Sequence, residues 1–92
     1  MAKKCLHLKI FGEVQGVGFR YYAREKAEEL NLTGWIRNNF DGTVECEICG
    51  EQDSLEKFLK WANKGPSWAK VEKVEVKWNE CRNDFSHFEI RY

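Results

Sequence analysis

Two stretches of this chain have apolar residues at helical spacing, and each lies between stretches in which apolar and polar residues alternate. The alternation predicts strands with one buried face, and the helical spacing predicts helices with one buried stripe. Such helices must cover another layer of structure, which favours a fold of packed helix and sheet layers. The apolar positions are Phe19, Ala23, Ala27 and Leu30 in the first helix, predicted over residues 20–30, and Leu55, Phe58, Leu59 and Ala62 in the second.

Five stretches have the pattern of strands. In the first of them Leu6, Leu8 and Ile10 point to one face and polar residues to the other. Asp41 and Gly42 form a hairpin signal between the second and third strands. The predicted strands are residues 5–11, 35–39, 43–49, 70–78 and 85–92, and residues 79–84 are predicted to be a polar loop.

Local residues also predict where the second helix begins and ends. Asp53 and Glu56 have the spacing of a capping box, with Asp in the place of Ser or Thr. Gly50 is predicted to end the strand before this helix, and Gly65 with Pro66 to end the helix itself.

The order of these elements is β-α-β-β-α-β with one extra strand near the end. Each helix has one apolar stripe, so both are predicted to cover the same face of one mixed sheet. This is a ferredoxin-like, two-layer α+β sandwich. A chain of 92 residues buries one modest core, so residues 1–92 are expected to form one domain. This fold has many functions, so it does not choose among them.

Charge and composition narrow the choice of partners. The 15 basic and 15 acidic residues balance, whereas proteins that bind duplex nucleic acid usually carry a basic excess. No apolar run approaches the roughly 20 residues of a membrane span, and the N-terminal stretch does not resemble a signal peptide. We therefore expect a cytoplasmic protein, monomeric, with no membrane or nucleic-acid partner.

Cysteine and histidine spacing does not indicate a metal site. Of four cysteines, only Cys46 and Cys49 are spaced as a C-x-x-C pair, and no second pair completes a zinc site. His7 and His87 have no ligand-type neighbours in sequence. We expect neither a metal nor another cofactor.

The stretch VQGVGFR joins the first strand to the first helix. Gly16 and Gly18 allow backbone angles that turn successive amides inward as an anion-binding nest. The same amides lie at a helix N-terminus, which favours anions, and the guanidinium of Arg20 matches a phosphate or carboxylate. A tight turn without a ligand and a solvated arginine would fit the same residues.

Asn38 is the second candidate. It ends the second predicted strand, which runs parallel to the first in this fold, so both strands end at the same sheet edge. Its amide can donate and accept hydrogen bonds, which suits it to orient a water molecule. An asparagine before a turn also often bonds to its own backbone.

Two motifs together resemble the acylphosphatase family. They are GEVQGVGFR at residues 12–20 and GWIRNNFDGTVE at residues 34–45, and the likeness extends to the FEIRY ending. The resemblance implies hydrolysis of the carboxyl–phosphate bond of acyl phosphates, without metal or covalent intermediate. It also implies that Arg20 binds the phosphate, that Asn38 positions the attacking water, and that loop amides from Gln15, Gly16, Val17, Gly18 and Phe19 surround the phosphate oxygens.

One residue departs from the family pattern. Glu13 stands where the family usually has Arg or Lys, and it adds negative charge near an anion site. The departure concerns substrate affinity and leaves the implied mechanism unchanged.

The predicted sheet also brings two cysteines together. Cys5 at the start of the first strand and Cys49 at the end of the third would be antiparallel neighbours that point away from the core. A disulfide and two free thiols, which a reducing cytoplasm favours, both fit this arrangement. Cys46 is predicted to be a buried apolar residue.

Two alternative functions are those of non-catalytic modules. Ferredoxin-like domains also bind RNA on the open face of the sheet, and Phe11 is predicted to lie there. The chain also resembles the accessory acylphosphatase-like module of a hydrogenase maturation protein. The neutral charge opposes the first reading, and a chain ending at Tyr92 favours a free-standing enzyme over the second.

Overall fold

The computed structural model describes residues 3–81 and 85–92. Its elements confirm the predicted order of two helices and five strands. They are β1 (Lys3–Glu13), α1 (Phe19–Glu29), β2 (Thr33–Asn38), β3 (Val44–Glu51), α2 (Gln52–Lys64), β4 (Lys70–Glu80) and β5 (Phe88–Arg91).

The five strands form one mixed sheet in the order β4-β1-β3-β2-β5. β3 pairs antiparallel with both β1 and β2, so β1 and β2 run in the same direction and end at the same edge. β5 adds to β2 in parallel, as the extra strand at that side of the sheet. The predicted ferredoxin-like α+β sandwich is confirmed.

Both helices pack on the same face of the sheet, around one core. The strand residues predicted to face inward, Leu6, Leu8 and Ile10, are fully buried. Helix residues Ala23 and Phe58 belong to the same cluster of buried side chains. The apolar stripe of each helix therefore contributes to one continuous core, as the helical spacing predicts.

Two predictions at the start of α2 were wrong. β3 continues through Gly50, which pairs with Lys4, and ends only at Glu51. Glu51 is then the N-cap of α2, and no capping hydrogen bond from a side chain is made among the described residues. Asp53 thus lies inside the first turn, where its negative charge interacts favourably with the helix dipole instead of forming a capping box.

β4 is longer than predicted. Asn79 and Glu80, expected in a loop, pair with β1, and the remainder of the predicted loop at residues 82–84 lies outside the described residues. Val76 and Trp78 are 42% and 41% exposed although they pair with the core residues of β1. Because β4 is an edge strand, its side chains have a sheet neighbour on one side only.

Cys5 and Cys49 are direct partners in the β1–β3 register. They form a disulfide in the structure, with their Cα atoms 4.0 Å apart. Cys46 lies on the opposite face within the core, and its burial raises the pKa of the thiol. The disulfide therefore links the two central strands on the side away from the helices.

Candidate active site

The loop between β1 and α1 turns on two glycines. Gly16 has a φ of 75° and Gly18 a φ of 78°, both in the left-handed region that favours glycine. Val17 between them does not have a positive φ. This alternation of backbone sign is the pattern of an anion-binding nest, in which neighbouring N–H groups converge.

The start of α1 leaves its first amides available. Gly18 is the N-cap and has no side chain to accept a hydrogen bond from the first turn, and that turn contains no acidic residue. The first N–H groups of a helix have no partner within the helix. This end of α1 is therefore an electropositive terminus suited to an anion.

Arg20 and Asn38 line the same cavity as these glycines. The cavity has a volume of about 260 Å³, and its wall also includes Phe19. β1 and β2 run in parallel, so the loop that follows one and the residue that ends the other meet at a single sheet edge. The structure thus brings together the two side chains that the sequence singles out.

Arg20 has no acidic partner within the described part of the chain. Its Nη1 donates a long hydrogen bond of 3.4 Å to the carbonyl oxygen of Arg91, and its Cζ lies 4.8 Å from the centroid of the Tyr92 ring. A guanidinium held by an aromatic ring and a carbonyl keeps its full charge for an anion in the cavity.

The side-chain amides of Asn38 and its neighbour Asn39 differ in their hydrogen bonds. Among the described residues, the Asn38 amide makes no side-chain hydrogen bond, although Asn38 is half-buried at the cavity wall. The Asn39 amide instead donates to Thr43 Oγ1 at 3.0 Å and to Glu45 Oε1 at 3.2 Å. Asn39 therefore holds the hairpin, and Asn38 has an amide free to bind a solvent molecule.

Gln15 links the glycine loop to the β2–β3 hairpin. Its Nε2 donates to the carbonyl oxygens of Asn39 at 2.7 Å and Thr43 at 2.9 Å. Gln15 and Val17 do not line the cavity, and the Val17 side chain packs against the core. The side chain of Gln15 therefore sets the distance between the loop and the strand end that carries Asn38.

The hairpin itself is closed by Asp41. The Asp41 carboxylate accepts hydrogen bonds from the side chain and the backbone N–H of Thr43, and these bonds lower the pKa of Asp41 to about 2. Lys9 Nζ adds an ion pair with Asp41 at 3.2 Å. The turn next to Asn38 therefore depends on a charged aspartate.

Comparison with known proteins decides the family. The Acylphosphatase profile matches residues 6–90. An acylphosphatase of Thermococcus kodakarensis is 50% identical over 74 residues, covering 80% of this chain and 81% of the relative. The chain belongs to the acylphosphatase family. The predicted resemblance is confirmed.

Solved acylphosphatase structures have the same fold. That of an acylphosphatase from Coxiella burnetii matches with a TM-score of 0.91 and 42% identity, covering 98% of this chain and 94% of the other. HypF of T. kodakarensis also matches, with a TM-score of 0.83 and 29% identity, but this chain spans only 12% of its length. The acylphosphatase fold thus also occurs as part of a much longer protein.

The acylphosphatase motifs identified only part of the cavity wall. Tyr21, Arg24, Ile90 and Tyr92 also line it. Arg24 carries a signal in the sequence, because it follows Arg20 by four residues and such residues are neighbours on a helix surface. The positions of Ile90 and Tyr92 depend on β5 pairing with β2, and no local pattern in the sequence predicts that these two strands are neighbours.

Glu13, the departure from the acylphosphatase pattern, is exposed and does not line the cavity.

Proposed function

We propose that this chain hydrolyses the carboxyl–phosphate bond of acyl phosphates to a carboxylate and inorganic phosphate. Arg20 and the loop amides bind the phosphoryl group, and Asn38 orients the attacking water. One observation carries the proposal: the Arg20 guanidinium and the Asn38 amide line the cavity formed by the glycine loop. In the described residues, Arg20 has no acidic partner and the Asn38 amide makes no side-chain hydrogen bond. Membership of the acylphosphatase family classes the chain as an enzyme of this type.

The chemistry needs few groups. The water oxygen forms a bond to phosphorus while the bond from phosphorus to the bridging oxygen breaks, and the acyl carboxylate leaves with the electron pair. A carboxylate is a weak base, so it leaves without a proton from a general acid. The negative charge that spreads over the phosphoryl oxygens in the transition state is stabilised by backbone N–H groups and by Arg20.

The proposed reaction uses no metal. Positive charge comes from the N-terminus of α1 and from the Arg20 guanidinium, which supply the electrostatic stabilisation that Mg²⁺ supplies in many phosphoryl-transfer enzymes. In the described residues, no group of three or more His, Cys, Asp or Glu side chains is arranged to hold a metal ion. Undiminished turnover in excess chelator is the expected result.

Hydrolysis of benzoyl phosphate tests the proposal directly. The purified chain is incubated with benzoyl phosphate and EDTA, and the loss of absorbance on hydrolysis is followed against a buffer blank. We expect turnover by the unmodified chain and a loss of on the order of a thousandfold with Arg20→Ala. Turnover equal to the blank for the folded, unmodified chain would refute the proposed activity.

The open face of the sheet bears on the RNA-binding alternative. Phe11 lies there between Lys9 and Lys73, whose Nζ atoms are 5.6 and 4.6 Å from the ring centroid. β3 places Glu45 and Glu47 at the centre of the same face, each in contact with His7. Burial opposes ionisation of Glu45, but hydrogen bonds from Arg37 and Asn39 outweigh it and lower its pKa.

The carboxylates of Glu45 and Glu47 at the centre of this face would repel a phosphate backbone, which argues against RNA binding there. Measurable binding of single-stranded RNA at low salt would contradict this assignment. A monomeric state and a cytoplasmic location stay predictions from the sequence. No helix in the described residues is long and apolar enough to cross a bilayer.

A further inference from the structure

The cavity contains a second arginine that the proposed hydrolysis does not use. Arg24 lies four residues after Arg20 on α1, and both line the cavity. Residues at this spacing are neighbours on a helix surface, about 6 Å apart along the axis. Arg24 is therefore placed beside the phosphate site rather than within it.

The charge of Arg24 is not compensated by an acidic side chain. In residues 3–81 and 85–92, no carboxylate oxygen lies within 4 Å of its guanidinium, and its only ring contact is with Tyr21, at 5.8 Å from Cζ to the centroid. None of the described residues that line the cavity is Asp or Glu. The cavity thus concentrates two positive charges in a chain whose formal net charge is zero.

An acyl phosphate with an uncharged acyl group uses only one of these charges. In the proposed hydrolysis, its phosphoryl group binds to Arg20 and the loop amides. Its acyl group would then lie against the cavity wall that contains Ile90, Tyr92 and Tyr21. A guanidinium binds a carboxylate with two parallel hydrogen bonds. A second anionic group on the substrate, one helical turn from the phosphate, would use the second charge.

We infer that Arg24 is a specificity-determining residue, and that the preferred substrates are acyl phosphates whose acyl group carries a carboxylate. This inference rests on the proposed hydrolysis, because it assigns the acyl end of the same site. The carboxylate binds Arg24 equally in the ground and transition states. Its effect is therefore expected in KM more than in kcat.

A pair of matched substrates tests the inference. The kcat/KM values of meta- and para-carboxybenzoyl phosphate are compared with those of the corresponding methylbenzoyl phosphates, which lack the charge. We expect a preference for the carboxylates that falls about five- to tenfold in Arg24→Gln, mainly through KM, and that weakens with added salt. The readout is the carboxylate-to-methyl ratio of kcat/KM, because loss of a positive charge one helical turn from Arg20 lowers kcat/KM for both kinds of substrate alike through the phosphoryl group.

Lys57→Gln is the matched control. Lys57 is exposed on α2 and does not line the cavity, so this variant removes one positive charge elsewhere on the molecule. It should keep the full preference for carboxylate substrates. Equal loss of preference in Lys57→Gln and Arg24→Gln, or no preference in the unmodified chain, would overturn the inference.

Binding measurements separate this inference from the proposed hydrolysis. Phosphonates in which a methylene group replaces the bridging oxygen mimic both substrates but are not hydrolysed. Calorimetry should show tighter binding of the carboxylate-bearing phosphonate, lost in Arg24→Gln. This result without any turnover of acyl phosphates would refute the hydrolysis and keep the role of Arg24. Turnover with equal binding of both phosphonates would refute the role of Arg24 alone.

Discussion

The guanidinium of Arg20 lies over the ring of Tyr92, with its Cζ 4.8 Å from the ring centroid. The two residues are far apart in sequence and meet because β5 pairs with β2 at the edge where α1 begins. Tyr92 is fully exposed, so this contact is made at the protein surface. Both residues line the candidate cavity, so the ring lies beside the guanidinium at the cavity wall.

Loss of the Tyr92 ring should therefore loosen Arg20. An exposed cation–π contact contributes about 0.5–1 kcal/mol, so Tyr92→Leu should lower kcat/KM for benzoyl phosphate by about two- to fivefold. Tyr92→Phe retains the ring and should stay close to the unmodified chain. Equal losses in both variants would assign the effect to the hydroxyl group instead of the ring.

Arg20 and Asn38 should be separable by phosphate inhibition. Arg20→Ala should lose most turnover and also most inhibition by inorganic phosphate, because Arg20 binds the phosphoryl group in both cases. Asn38→Ala should lose turnover but keep phosphate inhibition within about threefold, since Asn38 acts on the water. Phosphate inhibition of Arg20→Ala equal to that of the unmodified chain would contradict the role of Arg20.

Gln15 should contribute to both stability and turnover, because it connects the glycine loop to the β2–β3 hairpin. Gln15→Ala removes two hydrogen bonds to hairpin carbonyls, each contributing about 0.5–1.5 kcal/mol, so urea unfolding should detect a loss of about 1–3 kcal/mol. Turnover by the folded variant should also fall, because the loop is no longer tied to the strand end that carries Asn38.

Gln52→Ala is the control for Gln15, because within the described part of the chain the Gln52 side chain donates only to the exposed Glu56 on its own helix. It should change the free energy of unfolding by less than about 0.5 kcal/mol. Gln15→Ala with the turnover of the unmodified chain would show that the link to the hairpin is not needed for activity.

Asp41 should make the hairpin sensitive to acid. Its folded-state pKa is lowered from 3.8 to about 2, so its stabilising contribution is fully present above the unfolded pKa and is lost as pH falls through the folded value. Asp41→Asn keeps an oxygen that accepts from Thr43 but has no charge to titrate. The difference in unfolding free energy between the two proteins should be constant near neutral pH and shrink between about pH 4 and 2.

Denaturant unfolding at a series of pH values measures this difference. Asp41→Ala, which also loses the acceptor, should be less stable than Asp41→Asn at every pH. A difference between Asp41→Asn and the unmodified chain that grows as pH falls would contradict the lowered pKa.

The Cys5–Cys49 disulfide should stabilise the fold by closing a long loop. The two cysteines are 44 positions apart, and cross-linking a loop of this length contributes up to about 4 kcal/mol by chain entropy. Reductant should therefore lower the unfolding midpoint of the unmodified chain and of Cys81→Ala, but not that of a Cys5→Ala, Cys49→Ala double variant. Titration of four thiols in the unfolded, unreduced protein would refute the disulfide.

Some features could be predicted from the sequence because short-range patterns carry them. Helical spacing in residues such as Ala23 and Ala27, and alternation in Leu6, Leu8 and Ile10, predicted the elements and their buried faces. The start of α2 was predicted wrongly. Asp53 matches the pattern of a helix N-cap, but β3 continues through Gly50 and the N-cap is Glu51. The local capping pattern does not include the pairing of β3 with β1, and this pairing decides where the strand ends and the helix begins.

In the candidate site, too, some features follow from local sequence motifs and others depend on the folded chain. Arg20, Asn38 and the two loop glycines could be proposed from the sequence, since each stands in a motif of neighbouring residues, and the structure has all four in the wall of one cavity. The positions of Tyr92 over Arg20, and of Gln15 against the hairpin, required the folded chain. These contacts join segments remote in sequence, and only packing of β5 beside β2 and of the loop against the hairpin brings their atoms within interaction distance.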